Sequence, residues 1–200
     1  MIHQGLEPPA ESRALIFDCD GTLAVTRHAH FEGLRQALAA QGFALAEAWY
    51  LGKTGLSLIE TCHAFGADHG VTVVADEVRR IHARVFAGQI ALVRPVTAVE
   101  TVVRACHGIM PMAVASGGDV AIVERTLAQI GLRGFFEAVV GIGEITTGKP
   151  APDLFLRAAE LLRMRPGQCF VYEDSDEGLE AARRAGMRAV DVRQVAGVER

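Results

Sequence analysis

Short, mostly apolar runs recur along this chain and alternate with longer segments of helical period. Each run ends, where chain remains, at a polar or glycine-bearing turn. This alternation is typical of strands joined by crossover helices in a parallel sheet. We therefore predict an α/β fold with a Rossmann-like parallel core, whose strands are Ala14–Phe17, Met112–Ala115, Ala138–Val140, Cys169–Tyr172 and Arg188–Val192.

Three segments between the later runs are predicted as crossover helices. Gly131 and Gly186 follow the first and third segments, as expected at helix ends, and Pro150 and Pro152 precede the second. The predicted helices are Val120–Ile130, Leu154–Leu162 and Leu179–Ala185.

The interval between the first and second predicted strands is far longer than one crossover connection requires. It contains no convincing strand pattern. Helical period is present in Ala29–Ala40 and Asp76–Phe86, and Ser57 followed three residues later by Glu60 has the pattern of a capping box. The interval is therefore predicted to be an inserted α-helical cap.

The predicted hinges of this cap lie near Ala24–Thr26 and Leu92–Val96. We accordingly expect a cap domain of residues 25–92 and a core domain made of residues 1–24 and 93–200.

The charge pattern argues against a polyanionic partner. The net charge is −4, and lysines and arginines are scattered without a basic run, so we expect no nucleic-acid or membrane partner. The four cysteines form no CxxC pair, and the N-terminal segment has no apolar core of a signal peptide. We expect a cytoplasmic protein that acts as a monomer or weak dimer.

Four turns that follow the predicted strands, or lie between them, carry residues suited to phosphate chemistry. Ligands of open α/β sheets bind beyond the carboxyl ends of the strands, so these turns should lie close together. They combine paired carboxylates, a hydroxyl beside glycines, a cation and hard oxygen ligands for Mg²⁺. The residues are, in chain order, Asp18 and Asp20, Ser116 and Gly117, Lys149, and Glu173 and Asp174.

In order and spacing these turns resemble the four motifs of the haloacid dehalogenase superfamily, namely Asp18-x-Asp20-Gly21-Thr22, Ser116, Lys149-Pro150 and Glu173-Asp174. The stretch from about Pro111 to Arg193 more narrowly resembles the β-phosphoglucomutase-like subgroup. Within that subgroup the chain looks most like bacterial fructose-1-phosphate and 6-phosphogluconate phosphatases. The resemblance implies a Mg²⁺-dependent phosphatase acting on a small sugar or sugar-acid phosphate.

The resemblance also implies roles for individual residues. Asp18 would be the nucleophile that forms an aspartyl-phosphate, and Asp20 would be the general acid and then the general base. Mg²⁺ would be held by Asp18, the backbone carbonyl of Asp20 and Asp174, with Glu173 binding directly or through water.

Phosphate binding would fall to Ser116, Gly117 and Lys149, and Lys149 should also keep Asp18 ionised. In the cap, His30, Lys53 and Thr54 are the predicted substrate contacts, and Arg80 and Arg84 are further cations. Most of the other histidines are expected on the surface or on helix faces.

Three alternatives remain open from the residues alone. A β-phosphoglucomutase-type isomerase is disfavoured because Gly55 and Val120 stand near positions where that subfamily has an arginine and an asparagine. A catalytically idle phosphate-ligand binding protein is disfavoured by the complete set of catalytic residue types. A P-loop nucleotide-binding protein is disfavoured because Pro150 follows Lys149 where Ser or Thr is required.

Overall fold

Five strands form a parallel sheet in the computed structural model, which describes residues 2–53, 56–145 and 147–195. The order across the sheet is β5-β4-β1-β6-β7, and a separate two-stranded ribbon pairs β2 with β3. In chain order the strands are β1 (Ala14–Phe17), β2 (Ala24–Val25), β3 (Arg94–Pro95), β4 (Met112–Asp119), β5 (Ala138–Ile142), β6 (Cys169–Glu173) and β7 (Arg188–Asp191).

The helices of the described residues cover the sheet and fill the predicted insertion. All predicted helices are confirmed, but two further helices, α2 (Glu47–Leu51) and α5 (Thr97–Cys106), were not predicted. Within the described part of the chain, no helix combines the length and the apolarity needed to cross a membrane. The helices are α1 (Arg27–Ala39), α2 (Glu47–Leu51), α3 (Leu58–His69), α4 (Ala75–Gln89), α5 (Thr97–Cys106), α6 (Val120–Gln129), α7 (Asp153–Leu161) and α8 (Asp176–Arg184).

The central strand β1 is buried on both faces, which explains why it is apolar throughout. Leu15 and Phe17 belong to the core layer that includes the buried face of α5, whereas Ala14 and Ile16 belong to the layer that includes α7 and α8. Phe17 stacks on Tyr172 of the neighbouring strand β6 with ring centroids 4.6 Å apart. The carboxyl end of β1 is therefore fixed rigidly at the centre of the sheet.

The helices α1 to α4 form a helical insertion with an apolar core of its own, which includes Leu34, Leu38, Phe65 and Ile81. The α3 helix begins with the predicted capping box, in which the Ser57 hydroxyl accepts from the Glu60 backbone N–H. The fold prediction of a parallel core with an inserted helical cap is thus confirmed.

The insertion leaves and rejoins the core through the ribbon of β2 and β3, where Ala24 pairs with Pro95 and Val25 with Arg94. The sequence did not predict these strands, because two residues are too short for a strand pattern. They lie where the hinges were predicted. We retain the division of the chain at residues 24/25 and 92/93 into core and cap domains as a proposal, which the ribbon supports.

Candidate active site

A cavity of about 1340 Å³ lies between the carboxyl ends of the sheet strands and the helical insertion. Thr54 and Gly55 lie outside the described residues. The other residues predicted as catalytic, metal-binding, phosphate-binding or substrate-contacting line this cavity, namely Asp18, Asp20, Ser116, Gly117, Lys149, Glu173 and Asp174 from the core, and His30 and Lys53 from the insertion. The structure therefore brings together the four turns that the sequence singled out.

Lys149 lies at the floor of the cavity and is shared by two carboxylates. Its Nζ atom donates to Oδ1 of Asp18 at 2.6 Å and to Oε2 of Glu173 at 2.7 Å. All three side chains are buried. Burial by itself would lower the pKa of Lys149, but the negative charges of Asp18 and Glu173 raise it above its ordinary value. The lysine is therefore a permanent cation beside the carboxylate of Asp18.

Glu173 is held by donors on every side. Its Oε1 accepts from the Ser175 hydroxyl at 2.8 Å and from the backbone N–H groups of Ser175 and Asp174 at 3.0 and 3.1 Å. Ser175 is also the N-cap of α8, because its hydroxyl accepts from the Gly178 N–H at 3.0 Å. Glu173 and Ser175 thus tie the start of α8 to Lys149, a contact that the sequence did not reveal.

Three carboxylates cluster around this point, and oxygen atoms of Asp18, Glu173 and Asp174 all lie within 4.8 Å of one another. Gly21 makes the approach of Asp174 possible, because a β-carbon at position 21 would lie 2.1 Å from Oδ2 of Asp174. Its positive φ of +86° also favours glycine. In the described part of the chain, Lys149 binds two of these three carboxylates, Asp18 and Glu173, and its single positive charge does not balance the three carboxylates.

The pKa values of the cluster reflect this excess of negative charge. Burial, together with the charges of Glu173, Asp174 and Asp20, raises the pKa of Asp18 well above its ordinary value. Lys149 lowers it, as expected from an adjacent cation, while burial and the other carboxylates make the net shift upward. Burial and the charge of Glu173 likewise raise the pKa of Asp174 to about 7. Hard oxygen ligands with uncompensated charge fit a divalent cation such as Mg²⁺.

Ser116 is buried at the end of β4, where its hydroxyl accepts from the Gly118 backbone N–H at 3.0 Å. The pairing of β4 with β5 shifts register between Ala115 and Asp119, so the backbone at Ser116 and Gly117 departs from the regular ladder. A hydroxyl and a glycine-rich backbone therefore face the cavity from this side.

Asp20 reaches into the cavity and is bound by a histidine of the insertion. Nε2 of His30 lies 3.0 Å from Oδ1 of Asp20, and Nδ1 of His30 lies 3.1 Å from Nε2 of His82 on α4. Burial opposes ionisation of Asp20, but the charge and hydrogen bond of His30 lower its pKa below the ordinary value. Asp20 is therefore connected to two histidines of the helical insertion, first His30 on α1 and then His82 on α4.

His82 is a site residue that the sequence did not reveal. The prediction that most remaining histidines lie on the surface or on helix faces did not single it out, and it is 2% exposed. A signal was present: His82 has the helical spacing of the buried residues Val78, Ile81 and Phe86 on α4. A polar ring in an apolar stripe needs a partner, and here the partner is His30.

Of the predicted cap contacts, Lys53 lines the cavity, but its ammonium is already engaged. Nζ lies 2.9 Å from Oδ2 of Asp68 and 5.2 Å from the centre of the Trp49 ring. Arg80 lines the cavity and is exposed, whereas Arg84 is exposed and is not among the residues around the cavity.

Comparison with known proteins agrees with this geometry. The family model of haloacid dehalogenase-like hydrolases matches residues 12–186. The fructose-1-phosphate phosphatase YqaB of Escherichia coli (strain K12) is 37% identical over 189 residues, which cover 90% of this chain and 95% of YqaB.

Two solved structures share the fold. CbbY from Rhodobacter sphaeroides, crystallised in complex with phosphate, has a TM-score of 0.80 at 23% identity over 89% of this chain and 84% of CbbY. β-Phosphoglucomutase from Clostridium difficile has a TM-score of 0.79 at 19% identity over 89% of this chain and 83% of the mutase.

Proposed function

Because the chain belongs to the haloacid dehalogenase-like hydrolases and is a phosphatase, we propose that it hydrolyses the phosphate monoester of a small sugar or sugar acid. The proposed reaction depends on Mg²⁺ and passes through an aspartyl-phosphate on Asp18. The observation that carries the proposal is the pairing of Asp18 with a buried Lys149 in an acidic cluster, directly beside Asp20 in the same cavity.

In the first proposed step, the Asp18 carboxylate attacks phosphorus and the bond from phosphorus to the sugar oxygen breaks. Asp20 donates its proton to that oxygen, so the sugar leaves as a neutral alcohol. Ser116, the Gly117 backbone and Lys149 hold the phosphate oxygens, where charge accumulates during transfer.

In the second step, water attacks the aspartyl-phosphate, and Asp20, now ionised, takes the proton of that water. The acyl-phosphate bond breaks, which releases inorganic phosphate and restores the Asp18 carboxylate. His30 supports this step, because its hydrogen bond favours the ionised form of Asp20.

Asp18, Asp174 and the backbone carbonyl of Asp20 are the proposed ligands of Mg²⁺. Glu173 is assigned a contact through water, because its oxygens already accept from Lys149, Ser175 and the backbone. A bound Mg²⁺ supplies neutralisation of the charge between the attacking carboxylate and the phosphate.

The proposed substrate class is supported by the similarity to YqaB over nearly the whole length of both chains. The residues that read the sugar are proposed to lie in the helical insertion, with His30, Lys53 and Thr54 as the first positions to test. Thr54 lies outside the described residues.

The test is Mg²⁺-dependent phosphate release from fructose 1-phosphate, 6-phosphogluconate, glucose phosphates and phosphoglycolate. Asp18→Asn is the control, because the amide cannot act as the nucleophile. Release that requires Mg²⁺ and is lost in the variant supports the proposal. Trapping of a phosphorylated enzyme that is labile to hydroxylamine would identify the acyl-phosphate.

Absence of release from every compound by folded, Mg²⁺-loaded protein would overturn the proposal. Interconversion of glucose phosphates that needs a bisphosphate activator and liberates no net phosphate would instead establish the isomerase. Phosphate binding without either reaction would establish an idle binding protein.

A further inference from the structure

His82 is built into the insertion as a buried partner of His30. The two rings stack with centroids 5.1 Å apart, and Phe86 covers His30 with a centroid separation of 4.6 Å. Gly33 on α1 makes room for His82, because a β-carbon at position 33 would lie 2.7 Å from Cδ2 of the imidazole. The packing of α1 against α4 therefore accommodates a ring at this position, and its contact with His30 is part of the fold.

The hydrogen bonds define which nitrogen of each ring carries a proton. Ionised Asp20 only accepts, so Nε2 of His30 must donate to it. In a neutral His30 the other nitrogen, Nδ1, is then bare and accepts from Nε2 of His82. The remaining nitrogen of His82, Nδ1, is buried and has no hydrogen-bond partner in the described part of the chain.

A neutral His82 with its one ring proton on Nε2 can donate to Nδ1 of His30 and leaves its buried Nδ1 without a proton. Burial lowers the pKa of His82 to about 3, so the ring is neutral at physiological pH. Without the donor at His82, only the contact with Asp20 favours a proton on Nε2 of a neutral His30, and the tautomer with its proton on Nδ1, which turns a bare nitrogen toward the Asp20 carboxylate, becomes populated. The lone pairs would then repel, and Asp20 would lose its orientation.

We propose that His82 is a positioning residue for the general acid and base, acting through the hydrogen bond that fixes the tautomer and orientation of His30. The inference rests on the proposed function of Asp20. It extends the site by one side chain that touches neither the reacting atoms nor the predicted metal ligands. Removing the partner of the second ring nitrogen of a metal-binding histidine commonly lowers metal affinity or activity by roughly 10-fold to 100-fold, and we expect an effect of the same order for His30.

The test compares His82→Phe, which keeps an aromatic ring without a donor, with His82→Gln, which keeps an N–H donor. Each is assayed as kcat/KM on a sugar phosphate and on p-nitrophenyl phosphate. The aryl leaving group departs without a proton, and kcat/KM reports only the steps through cleavage of the first bond. If a variant impairs proton donation by Asp20, kcat/KM should therefore fall for the sugar phosphate and change little for the aryl phosphate.

We expect His82→Phe to lose roughly 10-fold to 100-fold on the sugar phosphate and less than about 3-fold on p-nitrophenyl phosphate. His82→Gln should recover much of the loss. His69→Phe is the matched control, since His69 lies on α3 of the same insertion, is exposed and is not among the residues around the cavity. Equal losses on the two substrates, or none, would overturn the proposal.

A second readout separates this inference from the proposed function. Nitrogen-15 NMR of the imidazoles at pH 8 should find the His30 proton on Nε2 in the wild-type protein and in His69→Phe. In His82→Phe the two tautomers of His30 should be mixed. An unchanged His30 tautomer in His82→Phe would refute the role of His82 even if the wild-type protein hydrolysed no phosphate ester.

Discussion

A β-carbon on Gly178 would lie 2.0 Å from the carboxyl carbon of Glu173. The first turn of α8 is thus pressed directly against the carboxylate that binds Lys149. Such an approach is open only to glycine, although the conformation at this position is ordinary helix. The contact between Gly178 and Glu173 therefore affects both the stability of the fold and the position of Lys149.

We expect Gly178→Ala to destabilise the protein by about 3 kcal/mol, because the new methyl group must push a buried, hydrogen-bonded carboxylate aside. Urea unfolding gives the measurement. Gly88→Ala is the control, since Gly88 is an exposed residue of α4 and, apart from the adjacent residues and backbone of its own helix, no described atom lies within 4 Å of its β-carbon position. That variant should be stabilised by about 0.5–1 kcal/mol. Similar effects of the two substitutions would contradict the close contact.

Lys149→Met should destabilise the protein by about 3–5 kcal/mol at pH 8, because two buried carboxylates lose their shared cation. Turnover should fall by on the order of 10³-fold. For stability alone, Lys53→Met is a suitable comparison: its pair with Asp68 is partly exposed and should contribute less than about 1 kcal/mol. Retention of wild-type stability by Lys149→Met would show that the lysine is not needed to hold the cluster.

Asp174→Asn should change stability in opposite directions with and without Mg²⁺. Without metal, the variant should be more stable than the wild type, because the raised pKa of Asp174 marks an unfavourable charge. With Mg²⁺ at about 100 times its Kd, the wild type should gain about 2.7 kcal/mol and the variant much less. Thermal unfolding in EDTA and in Mg²⁺ measures both. An equal Mg²⁺ response of the two proteins would exclude Asp174 as a ligand.

The buried His82 should make stability depend on pH. Its pKa falls from the ordinary 6.5 to about 3 in the folded protein, so between these values the unfolded chain binds a proton that the folded chain does not. As far as His82 is concerned, the folded state is most stable above pH 6.5, and its free energy of unfolding decreases as the pH falls toward 3. Among its neighbours, His30 lowers this pKa and Asp20 raises it.

The measurement is the free energy of unfolding in urea at pH 7.5 and pH 5. Relative to His82→Phe, the wild type should lose about 2 kcal/mol between these two values. His69→Phe should follow the wild type. Parallel pH profiles of wild type and His82→Phe would mean that His82 is protonated equally in both states.

The meeting of the four turns was predictable because it follows from topology. Asp18 and Lys149 are 131 positions apart in the chain, yet the carboxyl ends of parallel strands share one edge of the sheet. The α5 helix could also have been found, since its buried residues Ala98, Val99, Val102, Val103 and Cys106 have helical spacing.

Other features depend on packing that a single sequence does not encode locally. The bond from His82 to His30 exists only because α1 and α4 pack together, with Gly33 at the contact. The pKa of Asp18 was expected from one neighbour, Lys149, but its direction depends on burial and on three other carboxylates. The net effect of opposing charges on a pKa depends on the distances between the charged groups, and the order of motifs along the chain does not give those distances.

In the ribbon of β2 and β3, the chain segment that enters the helical insertion is paired with the segment that leaves it. The Val96 N–H donates to the Leu23 carbonyl at 2.9 Å, so the two crossings are one hydrogen bond apart. A turn of a few residues would therefore close the core in place of the whole insertion, without reordering a strand. The helical insertion is therefore suited to exchange as one unit, because both of its connections to the core lie at the same place.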